Sequence, residues 1–155
     1  GVAVLYVGAG SDTELTEKKY RIEDAIGATQ SAVSEGVVPG GGTALLRVTA
    51  DMDPHSIGET DDEVLGAKVV IDAVQRPFRQ ILNNAGLSPE VVSAQVLKAK
   101  EKFHGLNVKT GEYGNLMELG VIDPVKVTKS ALLNATSVAG LMLTTEAVIY
   151  DKREE

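Results

Sequence analysis

Three consecutive glycines, Gly40, Gly41 and Gly42, stand directly before a segment with the residue types of a helix start. Glycine lets backbone N–H groups approach an anion closely, and a helix N-terminus attracts negative charge. No Gly-Lys-Ser/Thr sequence follows, so the run is not a P-loop, and the spacing from Gly36 to Gly40 is not that of a dinucleotide-binding turn. Two interpretations stay open: a tight structural turn and a phosphate contact.

Two aspartates are the next candidates for chemistry. Asp24 lies off the apolar stripe of a predicted helix, where a solvated acid is the plain structural interpretation. Asp123 precedes Pro124, a pair typical of a helix N-cap followed by proline at the first helical position. A cap contributes about 1 kcal/mol, so the local pattern explains Asp123 without a catalytic role.

The remaining chemically capable residues predict no further site. His55 and His104 are far apart, and neither has a partner at metal-ligand spacing, so both are predicted to be surface residues. The chain has no Cys, and no Ser lies in a Gly-x-Ser-x-Gly turn. The residue types therefore indicate no metal site and no nucleophile.

Composition excludes several functional classes. The 155 residues carry 15 Lys and Arg against 22 Asp and Glu, a net charge of -7, which disfavours nucleic acid and anionic membranes as partners. The two Phe and four Tyr are scattered and offer no platform for stacking bases. The longest apolar stretches, such as residues 138–143, fall far short of the roughly 20 residues that span a bilayer. We expect a soluble protein with no nucleic-acid or membrane partner.

Hydrophobic periodicity and capping patterns predict about six helices and three or four short strands. Pro77 is expected to end or kink a helix, and Thr110-Gly111 is expected to turn a hairpin. The predicted N-caps are Ser11, Thr43, Thr60, Ser88 and Asp123. The predicted helices cover residues 11–36, 43–50, 60–76, 77–86, 88–100 and a long segment from 123, and the predicted strands lie at 1–7, in the hairpin 105–114 and at 147–150.

An α-rich domain with a small β component is therefore the predicted fold. The chain opens on the apolar run Gly1-Val-Ala-Val-Leu-Tyr-Val7, without an initiator Met or the charged region of a signal peptide. This start favours the interpretation that the sequence is part of something larger.

Five blocks of sequence, in matching order and spacing, resemble the C-terminal half of group I chaperonins of the GroEL type. The resemblance runs from residue 1 to about 151, and five blocks in register are far more specific than a single glycine pattern. The blocks are KKYRIEDA (18–25), EGVVPGGGTAL (35–45), EYGN (112–115), GVIDPVKV (120–127) and SVAGLMLTTE (137–146).

The resemblance implies a fragment of an ATP-dependent chaperonin that folds proteins as a double-ring homo-oligomer with a co-chaperonin. Residues 1–35 match the descending part of the intermediate hinge domain, a small α/β segment. Residues 36–155 match the C-terminal half of the multihelical equatorial ATPase domain, which has one β-hairpin. The compartment implied is the bacterial cytoplasm, or an organelle matrix in a eukaryote.

The resemblance also assigns site residues. Asp24 falls on the catalytic carboxylate that positions the attacking water, and Asp123 falls on the acid that accepts hydrogen bonds from the ribose. The sequence differs from the family's pattern at three positions. Val108 and Lys109 stand where small residues are common in the family, and Pro39 precedes the glycines. These differences bear on the detailed contacts to the adenine. The other nucleotide-contacting positions are Gly40, Gly41 and Gly42 in the phosphate-side loop, and Asn107 and Val108 beside the adenine.

No stretch of the sequence resembles the family's phosphate-gripping Gly-Asp-Gly-Thr-Thr segment or its metal-binding Asp. ATP and Mg²⁺ are therefore expected as cofactors of a complete parent protein, and unfolded clients and co-chaperonin are expected to bind an apical domain. We expect the 155-residue chain itself to be at most a very weak nucleotide binder and an inactive ATPase. The alternative hypothesis is a non-enzymatic module that self-associates through a chaperonin-like surface.

Overall fold

A computed structural model describes residues 1–151, which form a mainly α-helical structure with two small antiparallel sheets. This confirms the predicted fold class. The helices are α1 (Asp12–Glu35), α2 (Thr43–Ala50), α3 (Asp61–Val74), α4 (Arg76–Asn84), α5 (Pro89–Lys98) and α6 (Val125–Leu143), with a 3-10 turn at Pro54–Ser56. The strands are β1 (Val37–Pro39), β2 (His104–Asn107), β3 (Glu112–Asn115) and β4 (Ile122–Pro124).

The two sheets differ in how their strands meet. β2 and β3 form the predicted hairpin, with Gly111 in its turn at φ 75°. β1 and β4 are far apart in the chain and pair antiparallel, with Val38 opposite Asp123. This second pairing holds the segment before the glycine run against the segment before α6.

One hydrophobic cluster forms the core between α2, α4, α5 and the hairpin. Leu82 and Val96 have at most 1% of their surface exposed. α1 and α6 contain no buried residue and pack against each other, with the Lys129 Nζ 3.3 Å from a Glu35 carboxylate oxygen. The cluster consists of Leu46, Phe78, Leu82, Val92, Val96 and Leu106.

Several predicted helix ends are confirmed. Thr60 and Glu63 form a complete capping box at the start of α3. The Ser11 hydroxyl accepts the Glu14 N–H at 3.3 Å at the start of α1. The break at Pro77 is also present, because α3 ends at Val74 and a new helix starts at Arg76.

Two predicted caps are wrong, and a third holds its predicted position without the capping hydrogen bond. Gly42, at φ 76°, is the N-cap of α2, and Thr43 is instead its buried first residue. Ser88 is the N-cap of α5 and Pro89 its first residue, as predicted, but the Ser88 hydroxyl donates to the Glu90 carboxylate and caps no backbone N–H. Asp123 lies in β4 and Pro124 takes the N-cap position, because pairing with β1 keeps the backbone extended up to the helix.

The two predicted terminal strands are also absent. Residues 1–7 and 147–150 have no regular structure, and Val2 and Ile149 have 98% and 100% of their surface exposed. A strand needs a partner for its N–H and C=O groups, and no other described segment pairs with these two. The charged tail at 152–155 lies outside the described residues.

None of the helices within residues 1–151 has the length and apolar character needed to cross a membrane.

Gly42 is the position in the glycine run where a side chain has no room. A Cβ there would lie 2.8 Å from the Phe78 nitrogen and 2.9 Å from its Cα, in a left-handed conformation. We expect Gly42→Ala to lower the free energy of unfolding by about 2–4 kcal/mol, from the left-handed penalty and the overpacking. The measurement is urea denaturation followed by circular dichroism.

Gly66→Ala is the matched control, because Gly66 lies inside α3 and a Cβ there meets nothing within 4 Å. This change is expected to raise stability by about 0.5–1 kcal/mol, since alanine restricts the unfolded chain and favours the helix. Equal effects of the two substitutions would contradict the proposed close packing at Gly42.

Candidate functional site

A small cavity of about 180 Å³ lies where the glycine loop, α4 and the hairpin meet. Its wall combines main chain from the loop with mostly apolar side chains from α4 and the hairpin. Three of the residues predicted to contact nucleotide, Gly41, Asn107 and Val108, line it. The complete lining is Gly41, Phe78, Ile81, Leu82, Leu106, Asn107, Val108, Lys109 and Val121.

The glycine loop is held on both sides while its middle residue stays open. The Gly40 N–H donates to the Val121 carbonyl at 2.9 Å, and a Cβ on Gly40 would lie 3.1 Å from the backbone of Val121 and Ile122. Gly42 packs on Phe78. Gly41, at φ 64°, has nothing within 4 Å of its Cβ position. The loop is therefore fixed, and the main chain of Gly41 can approach a ligand closely.

Asp123 is brought beside this loop by the β1–β4 pairing. Its carboxyl is part-buried, and this burial raises its pKa, while the Gly41 N–H acts in the opposite direction. A part-buried carboxylate accepts hydrogen bonds and donates none when ionised. It suits the hydroxyl groups of a ligand that lies along the loop.

Asn107 ends β2 at the other wall of the cavity. Its Oδ1 accepts the Lys109 N–H at 3.1 Å, which fixes the orientation of the carboxamide. The Asn107 carbonyl also accepts the N–H of Gly111 at 2.8 Å, so the tip of the hairpin is tightly turned. An oriented amide can read the hydrogen-bonding edge of a planar heterocycle.

The apolar side of the cavity is continuous with the protein core. Phe78, Leu82 and Leu106 belong both to the core cluster and to the lining, and Val108 packs against that cluster. Such a surface accommodates a flat apolar ring, with the polar groups confined to the rim.

Asp24 is not brought to this cavity. It lies on the exposed side of α1, and no residue of α1 lines the cavity. α1 packs instead on α6 and β4. The structure thus joins four of the predicted positions, Gly41, Asn107, Val108 and Asp123, and leaves the catalytic role of Asp24 a prediction.

Sequence reasoning missed the apolar half of the site. Ile81 and Leu82, within the predicted helix 77–86, line the cavity, and so does Val121 before β4. No signal in a single sequence separates an apolar side chain that faces a ligand from one that faces the core. His104 was also predicted to lie on the surface, but it begins β2 and its side chain is only 21% exposed.

The cavity is mostly apolar and has few polar groups. Its lining offers an apolar wall, the oriented Asn107 amide, the main chain of Gly41 and the basic side chain of Lys109. The Asp123 carboxyl is bonded to Gly41 beside the cavity and does not line it. Among residues 1–151, no group of three or more His, Asp or Glu side chains is placed to hold a metal ion. The arrangement can receive a flat, largely apolar group whose polar atoms lie at the rim.

A sequence model of the TCP-1/cpn60 chaperonin family matches residues 1–153. The match covers nearly the whole chain and includes every residue that lines the cavity.

Burial of Asp123 predicts a pH-dependent effect of Asp123→Asn on stability. The folded-state pKa lies above the ordinary value of 3.8, so the ionised carboxylate destabilises the fold at pH values above the folded pKa. At pH 7 we expect Asp123→Asn to be more stable than the parent chain. The gain should shrink as the pH falls through the folded pKa and vanish below 3.8, where aspartic acid is protonated in both states.

Urea midpoints measured from pH 7 down to pH 3 test this expectation. Asp62→Asn is the control, because Asp62 is an exposed carboxylate in the first turn of α3. An Asp123→Asn chain that is less stable than the parent at pH 7 would contradict the stated cause of the raised pKa.

Proposed function

Because the chain belongs to the TCP-1/cpn60 chaperonin family, we propose that it acts in ATP-dependent protein folding and supplies the nucleoside-binding part of the ATP site. The observation that carries the proposal is the convergence of Gly41, Asn107 and Val108 on one cavity, with Asp123 beside Gly41. These residues come from three separate segments of the chain. Their meeting is expected of a binding site and is not required by any one local pattern.

Each group has a defined task in this proposal. The Asp123 carboxylate accepts hydrogen bonds from the ribose hydroxyls, and the Asn107 amide orients the base against Val108 and the apolar wall. The main chain of Gly41, between Gly40 and Gly42, faces the phosphate closest to the ribose. ATP, when bound, supplies the phosphoanhydride bond whose hydrolysis drives the folding cycle.

Asp24 is proposed as the carboxylate that orients the attacking water. It lies on α1, outside the cavity, so this role requires a movement of α1 toward the site. We propose that residues 1–35 belong to the hinge domain and residues 36–155 to half of the equatorial domain. A helix that leads directly into β1 and the glycine loop suits such a hinge.

The proposed partners are further copies of the chain in a double ring, a co-chaperonin and unfolded client proteins. The proposed location is the bacterial cytoplasm or an organelle matrix. Magnesium would be held by groups other than the described residues, since these offer no cluster of metal ligands. We therefore propose weak nucleoside binding, rather than ATP turnover, as the activity of the 155-residue chain.

Calorimetric titration with adenosine and with ADP tests the proposal. Both ligands are expected to bind with similar, weak affinity, because the cavity contacts the nucleoside and few groups face the phosphates. Asp123→Ala and Asn107→Ala are each expected to weaken binding about tenfold, the effect of one lost hydrogen bond. Each removes a side chain that faces the ligand and leaves the core cluster intact.

Asp62→Ala is the matched control and should bind like the parent chain, since Asp62 is exposed and does not line the cavity. Equal weakening by Asp62→Ala would contradict the assignment. ADP binding more than about a hundredfold tighter than adenosine would also do so, because that difference of roughly 2.7 kcal/mol would need strong phosphate contacts.

A second candidate function is self-association without catalysis, and the exposed apolar side chains of α6 favour it. Val138, Leu141 and Met142 share one face of the helix and have 59%, 69% and 71% of their surface exposed. Clustered exposed apolar groups tend to mark association surfaces. On this hypothesis the helix would bury these side chains against another copy of the chain.

Leu141→Glu is expected to shift the chain from an oligomer toward the monomer, because a charge cannot be buried unpaired at an apolar contact. Light scattering coupled to size-exclusion chromatography measures the mass. Gln95→Glu adds the same charge at an exposed polar position of α5, away from α6, and as the control it should leave the mass unchanged. If the unmutated 155-residue chain is a monomer, this second candidate function is excluded.

A further inference from the structure

Arg47 joins three parts of the structure through main-chain carbonyls. It lies in α2, and its part-buried guanidinium donates from Nη2 to the Val96 carbonyl at 2.7 Å and from Nη1 to the Ala99 carbonyl at 3.4 Å. Nε and Nη2 both donate to the His104 carbonyl, at 3.0 and 2.9 Å. One side chain thus ties α2 to the end of α5 and to the first residue of β2.

The acceptors explain why an arginine occupies this position. The last carbonyls of a helix have no intrahelical partner and form the negative end of its dipole. Val96 lies in the last turn of α5, and Ala99 is its C-cap. A planar guanidinium with several fixed donors can bond the helix end and the strand at once, whereas an ammonium cannot span them.

Arg47 does not act as a partner of an acid in this arrangement. None of the ion pairs among residues 1–151 includes it. Burial lowers its pKa, and the negative charges of Asp51 and Glu101 oppose that effect. Its bonds are therefore directed at the backbone, and they fix the position of one segment relative to another.

The tied segments are the two walls of the cavity. α2 follows directly from the glycine loop, which forms one wall, and β2 ends at Asn107, which with Val108 forms the other. A two-stranded hairpin is marginally stable by itself, so its position depends on external anchors. Leu106 anchors its middle in the core, and the Arg47 bonds to His104 anchor its base.

We propose that Arg47 is a positioning residue that sets the separation between the glycine loop and the β2–β3 hairpin, and thereby the geometry of the candidate nucleoside cavity. Arg47 itself does not line the cavity. The expected effect of Arg47 on ligand affinity rests on the proposed function. The expected effect of Arg47 on the position of the hairpin does not depend on it.

Arg47→Lys tests the inference on the 155-residue chain. Lysine keeps the charge but cannot bond the Val96, Ala99 and His104 carbonyls together. We expect amide hydrogen exchange to become about tenfold faster across residues 104–115, while α3 and α4 keep their protection. Adenosine affinity, measured by calorimetry, is expected to fall about tenfold. If Arg47→Lys does not fold, Arg47→Gln, which keeps two N–H donors, replaces it.

Two controls separate positioning from general stability. Arg76→Lys makes the same chemical change at an exposed residue paired with Asp72, and it should alter neither measurement. Val64→Ala removes buried methyl groups from α3, outside the core cluster and the cavity lining. It should lower stability without changing exchange in the hairpin or adenosine affinity.

The outcomes are distinct. Unchanged exchange in the hairpin of Arg47→Lys would overturn the proposal, and so would an equal loss of affinity in Val64→Ala. If the parent chain binds no adenosine, the proposed function fails, and faster exchange confined to residues 104–115 would still establish that Arg47 positions the hairpin.

Discussion

The antiparallel pairing of β1 with β4 is the interaction on which the candidate site depends. It places Val38 opposite Asp123 and so brings an acid from the far end of the chain to the glycine loop. The bond from the Gly40 N–H to the Val121 carbonyl extends this contact into the loop itself. The pairing thus keeps Asp123 out of the N-cap position that its local sequence predicts and holds its carboxyl beside Gly41.

The predictability of the fold follows from the range of the forces involved. The capping box at Thr60, the break at Pro77 and the turn at Gly111 are set by neighbouring residues, and each was predictable. The β1–β4 pairing was not, because three-residue strands leave no periodic pattern to detect. The predicted terminal strands are absent because an apolar extended run forms a strand only when a partner strand pairs with it.

The residues of the candidate site also divide into those that the sequence predicts and those that it does not. Only the resemblance of whole sequence blocks to chaperonins predicts the polar residues, which are Asn107, Asp123 and the glycines. Their residue types alone are equally explained by a structural turn or a helix cap. The apolar residues of the site could not be told from core positions, and Arg47 was not identified at all. A single arginine in a helix has no sequence signal for three main-chain acceptors, since the partners are set by tertiary packing.

The cavity shares Phe78, Leu82 and Leu106 with the core cluster. On the proposed function, this surface must satisfy two requirements at once, a shape that fits the ligand and the packing density of the interior. Substitutions that would adapt the cavity to another ligand would also disturb the core cluster. Ligand preference can therefore diverge more freely at the rim, where Val108 and Lys109 lie, than on the floor of the cavity.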